Sequence, residues 1–140
     1  MQQQLIDFAM NHWMILTAFV LIAAYLLYSL LQGDKGSVDP MAATEMINHQ
    51  QAVVVDVRPS ADFHKGHIIN AISIPSNGFA NQIGTLSKHK DKPIIVSCRS
   101  GAQSASACQQ LRKAGFEQVY NLKGGLLAWQ SASLPVSRKK

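Results

Sequence analysis

Cysteine is scarce in this chain: Cys98 and Cys108 are the only two among 140 residues, which excludes a disulfide framework. They lie ten residues apart across an expected loop and helix, and the helix keeps the two thiols from meeting. Companion ligands are also missing. His49, His64 and His89 have no partners at metal spacing, so neither a metal nor another cofactor is expected. The net charge of +5 is modest and spread along the chain. No aromatic residues interleave with Lys88, Lys90 and Lys92 or with Arg138, Lys139 and Lys140, so these stretches read as solvated surface and a basic tail. No nucleic-acid partner is expected. Internal repeats and low-complexity segments are absent as well.

Charge is missing altogether from Trp13 to Leu31, a run of 19 residues. As a helix it would cover about 28 Å, close to the thickness of a bilayer core. Trp13 near one end and Tyr28 near the other suit the two interfaces. A cleaved signal peptide is the competing reading. The missing basic start, the long apolar stretch and the sequence Gln32-Gly33-Asp34, which is no small-x-small cleavage site, all speak against it. A single retained span in a lipid bilayer is therefore expected. No Lys or Arg precedes the span and Lys35 follows it, a bias that places the amino terminus outside and the domain in the cytoplasm. Free thiols fit that reducing compartment.

The length allows one ordinary domain plus a short appendage. The expected division is a short segment over 1–12, the span over 13–31, a Gly- and Ser-containing tether over 32–37, a domain over 38–136 and a basic tail over 137–140. Asp39 can cap a helix with Pro40 in its first turn. Ala52 to Val57 is a β-branched run without alternation, the pattern of a strand buried on both faces. A turn or short helix follows from Ser60 to Lys65, then a strand over 71–74, a helix over about 79–87 and a strand from Ile94 to Ser97. A helix from about Gln103 to Ala114 closes at Gly115, and a last strand covers Val119 to Leu122. Gly124-Gly125 turns the chain into a short helix carrying Trp129. Short strands separated by helical connections predict an α/β domain with a parallel sheet and helices on both faces.

The most chemically pointed stretch is Cys98-Arg99-Ser100-Gly101-Ala102-Gln103-Ser104, between a buried strand and a helix. Successive backbone N–H groups and a helix amino terminus there favour a thiolate over a thiol. Gly101 permits the tight bend, and Arg99 adds positive charge for an anionic ligand. Ser104 either donates to the sulfur or caps the helix. Cys108, among Ala105, Ala107 and Leu111, reads as a small buried hydrophobe.

Four ordered motifs carry a family resemblance. Asp56-Val57-Arg58, then Asp62 to Ile68 with Gly66-His67-Ile68, resembles the opening signature of a rhodanese domain. Cys98-Arg99-Ser100-Gly101 is similar to its active-site loop, and Gly124-Gly125 with Trp129 to its closing motif. A span followed by one such domain resembles small bacterial membrane-anchored members, which implies the inner membrane. The resemblance implies a sulfurtransferase. The Cys98 thiolate takes sulfur from thiosulfate, a similar anionic donor or a protein persulfide, and a thiol or cyanide accepts it. It implies that residues 99–104 bind substrate and persulfide, that Arg58 pairs with Asp62 to brace the loop, and that Asp56 and His67 are structural supports. Gln103 stands where many members have arginine. That departure leaves a noncatalytic, partner-binding module at the membrane as the alternative. The related phosphatase loop carries an arginine six residues after its cysteine, where this chain has Ser104.

Overall fold

The computed structural model describes residues 1–32 and 36–138. Two compact units divide after Lys35. The first holds α1 (Gln2–Asn11) and α2 (Trp13–Gln32). Within α2, Trp13–Leu31 is long and apolar enough to cross a membrane, and none of that stretch is buried against the protein. Residues 33–35 of the expected tether, and Lys139 and Lys140 of the expected tail, lie outside the described residues.

The second unit is an α/β domain. Its strands are β1 (Ser37–Val38), β2 (Val53–Asp56), β3 (His67–Ile68), β4 (Ile72–Ser73), β5 (Ile94–Ser97), β6 (Val119–Leu122) and β7 (Val136–Ser137). Five of them form a parallel sheet in the order β1-β6-β5-β2-β4. The helices are α3 (Pro40–Gln50), α4 (Ser60–Lys65), α5 (Phe79–Gln82), α6 (Ala102–Lys113) and α7 (Gly125–Ser131), with a 3₁₀ helix over Ile83–His89.

Strand pleating explains how one apolar run serves two cores. Val55, Val57, Ile94, Val96 and Val119 pack on one face with Leu86 of the 3₁₀ helix and with Ala107, Cys108 and Leu111 of α6. Val54, Ile95 and Leu122 pack on the other with Ala43 of α3 and with Leu126 and Trp129 of α7. Fully burying a side chain of this size contributes about 1.5–3 kcal/mol, so the two faces supply most of the driving force. Trp129 lies in the second core and donates its indole N–H to the Pro135 carbonyl at 2.9 Å. At the start of α3, the Asp39 carboxylate accepts from the Ala42 N–H at 2.7 Å with Pro40 in the first turn.

Helix α1 and strand β3 have no counterpart in the sequence expectations, and three more elements differ from them. Ser37, read as the end of the tether, starts β1, because Gly36 accepts from the Asn121 N–H and Val38 from the Lys123 N–H. Ser137, read as tail, lies in β7 and pairs with His67 in an antiparallel ribbon. The helix expected over 79–87 tightens to 3₁₀ after Gln82, where Ile83 and Leu86, three apart, both turn to the core.

Candidate active site

Cys98 follows β5 directly, at the carboxyl edge of the parallel sheet where the chain crosses to α6. Open α/β sheets place ligands at that edge. The side chain is 1% exposed, so the sulfur lies on the floor of the loop with Arg99 and Ser100 exposed above it. Gly101 makes the bend with φ +96, and its N–H donates to the sulfur at 3.0 Å. Ala102 and Gln103 sit exposed on the first turn of α6, while Ser104 turns inward and brings its hydroxyl to 3.3 Å from the sulfur.

These contacts compete over the ionisation of the thiol. Burial is the largest influence and pushes it upward. The Ser104 hydroxyl and the backbone N–H groups of Ser104, Gly101 and Ser100 together outweigh it, and Cys98 ionises below the ordinary cysteine value. Cys108, on the buried face of α6, lacks such donors, and burial pushes it up to about 11. Both thiols are free.

Asn121 belongs to this cluster, and the sequence reading did not single it out. It donates from Nδ2 to the Gly101 carbonyl at 2.9 Å and accepts at Oδ1 from the Ser104 hydroxyl at 2.5 Å. The pairing of Asn121 with Val96 and the two-residue alternation of β6 put it on the face that carries Val119 and α6. The sequence showed only a polar amide within the run Val119 to Leu122, without the face it takes.

The loop is held from behind by α7. The Leu126 and Leu127 N–H groups donate to the carbonyls of Cys98 (2.8 Å) and Arg99 (3.2 Å). A Cβ on Gly125 would lie 2.5 Å from the Cys98 carbonyl oxygen, so only glycine lets α7 come this near.

The bracing pair is Arg58 with Asp56, which corrects the expectation of Arg58 with Asp62. Asp56 ends β2, and its Oδ1 accepts from the Arg58 backbone N–H at 2.9 Å. The guanidinium therefore folds back onto the same carboxylate, with Nη2 at 2.8 Å. Nη2 also donates to the Gly66 carbonyl at 2.7 Å, tying β2 to the end of α4. Asp62, half-buried in the first turn of α4, has Lys65 as its ionic neighbour at 3.9 Å. His67 is buried, with Nδ1 at 2.7 Å from the Phe63 carbonyl and its ring stacked on Phe63.

Beside the loop opens a cavity of about 200 Å³, lined by Arg58, Asp62, Lys65, Gly66, Arg99, Leu126, Leu127 and Gln130. Arg58 is already paired with Asp56 and Lys65 faces Asp62, so Arg99 is the cation of the lining best placed to meet an anion. Among the described residues, no group of three or more His, Cys, Asp or Glu is arranged to hold a metal ion.

Comparison with known proteins agrees with this geometry. The sequence profile of the rhodanese-like domain matches residues 39–132. The uncharacterized protein YibN of Escherichia coli K12 is 39% identical over 99% of both chains. The thiosulfate sulfurtransferase GlpE of Vibrio cholerae is 34% identical over 71% of this chain and 92% of its own. The crystal structure of a rhodanese-related protein from Thermoplasma volcanium superposes with a TM-score of 0.67 at 28% identity, covering 74% of this chain and 98% of that one.

Proposed function

The chain belongs to the rhodanese-like domain family, several of whose relatives carry sulfurtransferase names, and from that premise we propose that it transfers sulfane sulfur through a persulfide on Cys98. The Cys98 thiolate attacks the outer sulfur of thiosulfate or a similar anionic donor. A new S–S bond forms, the sulfur–sulfur bond of the donor breaks, and sulfite leaves with the electron pair. The outer persulfide sulfur then passes to a thiolate, giving its persulfide, or to cyanide, giving thiocyanate, and the Cys98 thiolate returns. No redox partner is consumed in either step.

One observation carries this reading: the Cys98 sulfur is buried under a loop that aims the Gly101 N–H at it and holds the Ser104 hydroxyl 3.3 Å away. Donors fixed before the reaction stabilise an anion on sulfur in both the thiolate and the persulfide. The cavity beside the loop, with exposed Arg99 on its lining, supports an anionic donor or a carboxylate-bearing thiol acceptor. Arg99 thus supplies cationic character that Gln103 does not. The span Trp13–Leu31 acts as a retained anchor in the inner membrane, with the domain on the cytoplasmic side among low-molecular-weight thiols and protein persulfides. The bilayer is then a standing partner of the chain.

Thiocyanate production from thiosulfate and cyanide tests the reading. The wild-type chain is expected to turn over and the Cys98→Ser chain to stay at background. Equal rates in the two would refute it.

A further inference from the structure

Ser104 has one hydroxyl proton and two neighbours able to take it: the Cys98 sulfur at 3.3 Å and Asn121 Oδ1 at 2.5 Å. The amide orientation of Asn121 decides where that proton rests. A carbonyl only accepts, so the group facing the Gly101 carbonyl at 2.9 Å is the Asn121 nitrogen, and Oδ1 is left facing Ser104. Oδ1 has no proton, so the hydroxyl must be the donor. The Gly101 N–H in turn donates to the sulfur at 3.0 Å. The four residues close a ring in which the Cys98 S–H gives to Ser104, Ser104 to Asn121, Asn121 to Gly101 and Gly101 back to sulfur.

This ring is complete only while the sulfur keeps its proton. A thiolate only accepts, so Ser104 serves it by turning its one hydroxyl proton to the anion, and Asn121 Oδ1 then loses its donor. We propose that Asn121 is a positioning residue that holds the Ser104 hydroxyl away from the resting thiol and yields it when the sulfur becomes anionic, thereby setting how readily the nucleophile forms. The proposal deepens the persulfide reading and rests on it for its functional meaning.

The titratable group that acts on the sulfur is Cys108 on α6; Arg99 is the next residue of the loop, and the Asp56–Arg58 pair closes the neighbouring strand β2. Helix α7 contributes none. All of these stay unchanged in the variants that test the idea.

Asn121→Leu and Asn121→Asp both lose the N–H given to Gly101, so any loosening of the loop is common to the two. They differ in the acceptor offered to Ser104 and in charge. The Asp carboxylate also repels the thiolate, so the part of its shift that is lost in the Ser104→Ala background is the part that reports the acceptor. The readout is thiolate ultraviolet absorbance against pH on the full chain in detergent, after subtraction of the Cys98→Ser signal. Freed from its acceptor, the hydroxyl serves the sulfur, and Asn121→Leu is expected to lower the midpoint by about one pH unit. Asn121→Ala, smaller and also without an acceptor, is expected to move the same way. Asn121→Asp, a stronger acceptor, is expected to raise the midpoint. In a Ser104→Ala background the downward shift should vanish. Shifts of one sign in Asn121→Leu and Asn121→Asp, or a downward shift that persists without the Ser104 hydroxyl, would overturn the proposal. Loading of one sulfur from thiosulfate on the same samples keeps the two questions apart. A wild-type chain that never loads defeats the persulfide reading, whatever the titrations show.

Discussion

At the scale of single residues, the two cysteines show how the same side chain takes opposite characters. Both are about 1% exposed, so burial does not distinguish them. Cys98 has hydrogen-bond donors aimed at its sulfur and ionises low, whereas Cys108 has apolar neighbours and ionises at about 11. Titration of the folded chain should therefore show one thiolate forming below the range of a free cysteine, lost in Cys98→Ser. Cys108 should resist alkylation until the protein is unfolded. The position of Cys98 at a strand-to-helix turn was legible because it follows an apolar β-branched run and precedes Gly101. Asn121 was not legible as part of the cluster. Its place depends on which of two sheet faces it takes and on register with β5, and both are tertiary facts.

At the scale of elements, the Cys98 loop is clamped between α6 and α7, and Gly125 is where the clamp is tightest. An alanine there would combine a φ of +59 with a Cβ 2.5 Å from the Cys98 carbonyl oxygen. We expect Gly125→Ala to cost about 1–3 kcal/mol of stability by thermal unfolding. Displacement of the loop by even 1 Å should cut sulfur transfer by about a hundredfold. Gly84, with open space around it and no positive φ, is the control, and Gly84→Ala should change stability by no more than about 1 kcal/mol. The longer elements were readable from β-branched runs, the Asp39 cap and the Gly115 stop. Of the two-residue strands, β4 was readable from the run over 71–74, whereas β1, β3 and β7 lie in stretches without an apolar run and exist only through their partners. The Arg58 partner was misassigned for a related reason. Asp56 and Asp62 are both near in sequence, and the backbone N–H of Arg58 closing onto Asp56 decides between them.

At the scale of the whole molecule, an apolar helix and an α/β domain form separate units joined across residues 33–35. The parallel sheet with two apolar faces was legible because strand-length runs alternate with helical connections. The limits of the domain were less so, because Ser37 and Ser137 carry no apolar signal of their own. If the span is a retained anchor, the full-length chain should stay with membranes through an alkaline wash, and removal of residues 1–35 should release a folded domain. Recovery of a soluble chain shortened at its amino terminus would instead mark a cleaved leader.

The central claim is that Cys98 carries sulfur, and intact mass spectrometry of the chain after exposure to thiosulfate tests it most directly. The account predicts a gain of one sulfur atom that thiol reductant removes and that Cys98→Ser abolishes. A wild-type mass that does not change, or a gain that survives in Cys98→Ser, would contradict it.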